Sequence, residues 1–141
     1  MSYGMKLGLA AMMLATPALA QNADALRAQL AGHEMNLRGY NELATERTGE
    51  TVRLQIFDNG SARVRFSAFG EDEAQEGWML WRVNARGQFC TTFAVPDGRG
   101  VLRADDDEDC LDIAVQGNSV GLNFYGSTGN LDRYSGTLRR M

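Results

Sequence analysis

Lysine, histidine, cysteine and proline are all scarce in this 141-residue chain, and each scarcity closes a route. Lys6 is the only lysine, so the cationic groups beyond it are thirteen arginines. His33 is the only histidine, which leaves a histidine-based triad one candidate and gives a multi-histidine metal site too few ligands. With two prolines, 44% hydrophobic and 23% charged residues, the composition is that of a globular domain and excludes disordered, collagen-like and low-complexity classes. Phosphate-binding glycine patterns are missing too. Neither Gly-x-x-x-x-Gly-Lys nor Gly-x-Gly-x-x-Gly occurs after residue 20, so no nucleotide cofactor is expected. Apolar stretches are short: beyond the N-terminus none approaches the ~20 residues that a membrane-spanning helix needs.

The N-terminus itself is informative. Met5-Lys6 is followed by the apolar run Leu7 to Ala15, then Thr16-Pro17 and the small-residue site Ala18-Leu19-Ala20. This is the charged, apolar and cleavage pattern of a secretory signal, with the cut before Gln21. The chain therefore divides into a signal peptide, residues 1–20, and a single β-rich domain, residues 21–141, destined for the periplasm or the exterior with no membrane span after cleavage. Against thirteen arginines that domain sets eighteen acidic side chains, a net charge of −5. A surface of that sign repels phosphate backbones and argues against nucleic acid as a partner. In an oxidising compartment Cys90 and Cys110 are expected to form one disulfide, a staple that suits a small domain.

Asn22 precedes the helix-forming stretch Ala23 to Leu30, and Gly32 follows it, which predicts one short helix capped at Asn22. Beyond it the period changes from helical to alternating. Val52, Leu54 and Ile56 alternate with Arg53 and Gln55, and Asp58-Asn59-Gly60 supplies a turn into a second run from Ser61 to Phe69, the pattern of a β-hairpin. Further strands are expected at about 34–38, 78–83, 88–95, 110–116, 119–125 and 132–139. Eight strands joined mostly by short turns predict a mainly β fold: an antiparallel meander closing into a small barrel or bent sheet, with the helix packed at one end. Leu54, Ile56, Val64, Phe66, Leu111, Ile113, Val115, Leu122 and Phe124 are the expected core. Trp78 and Trp81 fall on opposite faces of one strand, so one belongs to the core and the other to a rim.

The acidic run Asp105-Asp106-Asp107-Glu108-Asp109 matches the start of a calcium loop. The match then fails, because the sixth and twelfth positions, where that loop needs glycine and glutamate, are Cys110 and Gln116. A solvated loop between two strands is expected instead, with weak divalent-cation binding as the alternative, and no metal site is assigned. Acids are plentiful enough for glycosidic hydrolysis by a carboxylate pair, but nothing singles out a pair. His33 follows the helix directly and reads as a strand-end residue rather than a catalytic base. Phe89, Phe93, Phe124, Tyr125 and Tyr134 join the tryptophans as core candidates, with a ligand-lined barrel interior as the alternative use for them.

From Gly77-Trp78 the chain passes a glycine turn at Gly87, an aromatic before the first cysteine in Phe89-Cys90, a second cysteine at Cys110, and an apolar strand ending at Gly117. This half of the chain resembles a group of small exported alphaproteobacterial β-rich proteins, mostly of unknown function, with a glycine–tryptophan and paired-cysteine pattern. The resemblance implies a periplasmic β-rich module and carries over no catalytic residue. The stretch from Gly126 onward is similar to periplasmic lysozyme inhibitors, small disulfide-bearing barrels that insert a loop with serine and glycine before a tyrosine into the lysozyme cleft. That similarity implies a binding surface at Ser127, Gly129, Asn130, Arg133 and Tyr134 for a periplasmic protein partner, and a negative domain suits a cationic lysozyme. The expectation is a non-enzymatic periplasmic binding or accessory module without a cofactor. A lysozyme-inhibitor-like protein, a carrier of a small apolar ligand and a carboxylate-dependent hydrolase are the alternatives.

Overall fold

Alternation of inward and outward side chains from Glu34 onward decides the architecture. The computed structural model of the chain describes residues 15–41, 47–67, 74–125 and 131–141. Among them a helix, α1 (Ala15–Leu30), precedes nine strands: β1 (His33–Asn41), β2 (Arg47–Ile56), β3 (Ser61–Ser67), β4 (Gln75–Val83), β5 (Phe89–Pro96), β6 (Leu102–Ala104), β7 (Asp109–Gln116), β8 (Ser119–Tyr125) and β9 (Leu131–Arg140). Eight of these close into a ring, β1-β2-β3-β4-β5-β7-β8-β9, every pair antiparallel. The ring follows chain order, so the fold is an up-and-down barrel closed by its first and last strands over the register His33–Arg140 to Asn41–Asp132. That pairing decides for a barrel over a bent sheet.

The ninth strand, β6, is absent from the sequence-based expectation because three residues, of which Leu102 is the strongest apolar one, are too few to show a period. It pairs with Ala94–Pro96 of β5, whereas β7 pairs with Phe89–Thr91 of the same strand, on the same edge. β6 and β7 are thus one interrupted strand. Between the two registers β5 passes residues 92 and 93 while the other side passes residues 105–108, so the acidic run is the expected exposed loop between two strands, here bulging out of one shared edge. The Asp105 N–H still donates to the Phe93 carbonyl at 2.8 Å, which keeps the bulge anchored.

The expected short helix is present over residues 22–30, and it is part of α1, Ala15–Leu30, so Asn22 lies inside it rather than at its cap. Alanine and leucine dominate residues 18–20, so propensity offers no reason to stop at Asn22. At its other end α1 plugs the barrel. Leu30 is fully buried and Leu26 and Ala31 pack against the same core. The Arg27 guanidinium lies 4.8 Å from the centre of the Trp81 ring. The Gly32 N–H donates to the Ile56 carbonyl at 2.8 Å, and the Met141 N–H donates to the Gly32 carbonyl at 3.0 Å, which ties the plug to two strands. Burying Leu30 contributes on the order of 2 kcal/mol.

Core and surface sort as the alternation predicts. Leu54, Ile56, Val64 and Leu122 are buried, and Phe66, Leu111, Ile113 and Val115 pack against them partly buried; the Phe124 side chain lies outside the described residues. Trp81 is core, whereas Trp78 points outward beneath the Arg63 guanidinium, 5.2 Å from its ring centre. The β2–β3 hairpin turns through Asp58-Asn59-Gly60, where Gly60 adopts φ 87° and the Asn59 side chain accepts the Ser61 N–H at 3.0 Å. Cys90 and Cys110 face each other directly in the β5–β7 pair and form the expected disulfide.

Candidate functional site

Away from α1, the barrel is not filled. A cavity of about 240 Å³ lies between the inward side chains, with Leu37, Val52, Leu54, Val64 and Phe66 on one wall and Met79, Phe89, Leu111, Leu122 and Tyr134 on the other. An eight-stranded barrel is wide enough either to be packed solid or to hold one small ligand. Here one end is packed by Leu30, Met35, Ile56 and Trp81, all nearly inaccessible, and the space lies toward the other end.

Polar groups gather on one side of that space. In β7, Leu111, Ile113 and Val115 point inward, and the same parity carried back through the bulge brings Asp109 and Asp107 to the cavity. Opposite Asp109 in the register stands Thr91, 8% exposed, which lines the cavity and whose hydroxyl makes no hydrogen bond among the described residues. Two residues further along β5, Phe93 lines the same space and stays 44% exposed, which marks the mouth.

The acid of opposite parity does something else. Glu108 points outward, where its carboxylate accepts two hydrogen bonds from Arg82, at 2.8 Å from Nε and 2.6 Å from a terminal nitrogen. Arg82 holds the Glu108 carboxyl below its ordinary range, and Glu108 raises Arg82 in return. Arg82 is the register partner of Cys90, so this pair covers the disulfide. The one group of three converging potential metal ligands among the described residues is Cys90, Glu108 and Cys110; with both sulfurs in the disulfide, it offers a single carboxylate and no metal site.

A second ionic cluster sits on the outer wall. Glu34 is 2% exposed although it points away from the interior, because Arg53 and Arg139 close over it. Its carboxylate accepts hydrogen bonds from Arg53 Nε at 2.5 Å, Arg139 Nε at 2.9 Å and Asn36 Nδ2 at 3.2 Å. Burial opposes ionisation of this carboxyl, but the two arginines and Asn36 outweigh it and bring the pKa down from 4.5 to about 2. The cluster joins β1, β2 and β9 across the seam where the barrel closes.

The binding residues drawn from the sequence are divided by the structure. Ser127, Gly129 and Asn130 lie outside the described residues. Arg133 is exposed on the outer face of β9, whereas the neighbouring Tyr134 points into the cavity, so the two do not share a surface. His33 opens β1 at the plugged end, its Nδ1 donating to the Ala31 carbonyl at 3.0 Å. Gly117 to Gly121 spell Gly-x-Ser-x-Gly. That motif needs a strand-to-helix turn to lift its serine, and Ser119 instead opens β8 straight out of a tight turn between two strands. No family model matches this sequence, and a search of curated proteins finds no match. Among the described residues no helix is long and apolar enough to cross a membrane.

Proposed function

We propose that this protein is an exported binding protein that takes one small, largely apolar molecule into the open end of its barrel. The observation that carries the reading is the cavity of about 240 Å³, walled by apolar side chains and fringed on one side by Thr91, Asp107 and Asp109. Concave, mostly apolar spaces with a few polar groups on one side are what small-molecule sites look like. Its size sets the ligand. An apolar cavity of about 150 Å³ accepts benzene, so this one suits a molecule of about ten non-hydrogen atoms. The signal-like N-terminus and the disulfide support export and a periplasmic or extracellular place of work.

The test is calorimetric titration with straight-chain alcohols from butanol to decanol. Each buried methylene is worth about 0.8 kcal/mol, so affinity should rise about fourfold per methylene and stop rising once the cavity is full, near octanol. Leu111→Trp, which places bulk in the cavity from a half-buried wall position, should abolish binding while far-ultraviolet circular dichroism stays unchanged. No alcohol binding, or binding that Leu111→Trp leaves intact, would overturn the reading.

A further inference from the structure

We infer that the molecule this cavity accepts is a monovalent organic cation, a protonated amine on an apolar tail, with its ammonium group at the mouth among Asp107, Asp109 and Phe93. The inference rests on the cavity being a binding site and adds the charge of what it binds. Three observations carry it.

The first is the sorting of the acidic run by strand parity. Of its five acids, Glu108 alone has an ion-pair partner among the described residues, on the outer face. Asp107 and Asp109 line the cavity, and no arginine does. Two uncompensated carboxylates beside an apolar wall attract a cation and repel a carboxylate or phosphate headgroup. The second is Thr91. Its side chain is more than nine-tenths buried, lines the cavity and has no hydrogen-bond partner among the described residues. Its hydroxyl oxygen is not sealed from the cavity, and it can accept an ammonium N–H there. The third is Phe93, a half-exposed aromatic ring lining the same space, the kind of surface against which ammonium groups rest.

A metal ion fits these residues less well. Divalent cations take six or more oxygen ligands, and the described residues bring no third carboxylate, histidine or cysteine to Asp107 and Asp109. An ammonium group needs two or three acceptors, which is what the mouth supplies. The apolar depth beyond it requires a tail, which excludes small hydrophilic amines.

The test compares octylamine, octanol and octanoate, three ligands with one tail and three headgroup charges, by calorimetry near neutral pH. Each is titrated into the wild type, the Asp107→Asn/Asp109→Asn variant and the Asp105→Asn/Asp106→Asn variant, which removes as much charge outside the cavity. The amine should bind about tenfold tighter than octanol, and octanoate weakest, since two partly exposed charge pairs together account for about one power of ten. The first variant should bring the amine down to the affinity of octanol and leave octanol within twofold of its wild-type value. The second should preserve the amine preference. Octanol bound as tightly as the amine, or an equal loss in both variants, would overturn the cationic assignment while leaving the binding cavity standing. If none of the three binds, the cavity reading falls and takes this one with it.

Discussion

Replacing Glu34 by glutamine isolates the ionic cluster that locks the barrel seam, because the side chain keeps its shape and loses only its charge and acceptor capacity. With a pKa of about 2 in the folded chain and an ordinary value of 4.5 when unfolded, the ionised carboxylate contributes about 3 kcal/mol of stability. The sign follows from the depression. Folding favours the ionised form, so the contribution is complete above pH ~5, drops to about half near pH 3, and is almost gone at pH 2. The arginines do not cancel the effect. They are 46% and 68% exposed, so in the variant both can return to water, whereas the carboxylate is 3% exposed and depends on them. Urea unfolding of wild type and Glu34→Gln should therefore show a difference that is largest at pH 7 and narrows by about 3 kcal/mol on going to pH 2. A constant offset from the amide facing arginine donors is compatible with this reasoning, since only the pH-dependent part belongs to the charge. The same difference at both pH values would refute it. Asp97 and Glu108 are also held below their ordinary ranges, Asp97 by the Arg99 and Val101 N–H groups and Glu108 by Arg82, but both are present in the wild type and the variant alike and cancel in the comparison.

Two further outcomes follow from the covalent and steric closure of the barrel. The Cys90–Cys110 bridge spans a sequence separation of 20, for which the chain-entropy argument gives about 3 kcal/mol, so urea unfolding with and without reductant should differ by about that amount; equal stabilities would show that the bridge does not constrain the unfolded chain. Gly136 stands in the closing β1–β9 pair, where an added methyl would overlap the Asn36 carbonyl oxygen and lie 2.8 Å from its carbon and 3.0 Å from the Leu37 Cα. Gly136→Ala should therefore cost more than about 2 kcal/mol in thermal or urea unfolding, while Gly98→Ala, with nothing within 4 Å of the new methyl, should cost little; similar losses in both would refute the close approach of the two backbones.

How far the fold is legible in the sequence depends on the length of each signal. Val52, Leu54 and Ile56, or Leu111, Ile113 and Val115, span enough residues for a period of two to emerge, and both strands form as that period requires. Closure is different. The pairing of His33 with Arg140 joins residues far apart in the chain, and no local pattern encodes it. Glu34 is hidden for the same reason. Its partners Arg53 and Arg139 stand 19 and 105 residues away, and a single glutamate in a polar–apolar strand reads as one more exposed position. The mouth acids were within reach. Counting back in twos from Leu111 arrives at Asp109 and Asp107, but treating the acidic run as one solvated loop erases the parity that separates them from Glu108.

That parity also explains how one small barrel can be both tight and open. Leaving a cavity unfilled forfeits packing energy, and the remainder of the molecule must supply stability from places that a ligand does not touch. The described contacts are divided in that way. Leu30, Met35, Ile56 and Trp81 fill the end under α1, the disulfide clamps β5 to β7, the Arg82–Glu108 pair ties β4 to the acidic run from outside, and Glu34 with its arginines clamps β1 to β2 and β9 from outside. The residues at the mouth, Asp107, Asp109 and Phe93, are exposed and belong to none of these clusters. Asp107→Asn/Asp109→Asn should consequently leave the unfolding free energy within about 0.5 kcal/mol of wild type, as exposed substitutions outside any network usually do. Denaturant melts of the unliganded proteins check this. A loss of several kcal/mol would mean that the mouth carboxylates hold the bulge together, and that the cavity is shaped by the fold's own requirements rather than kept free for a ligand.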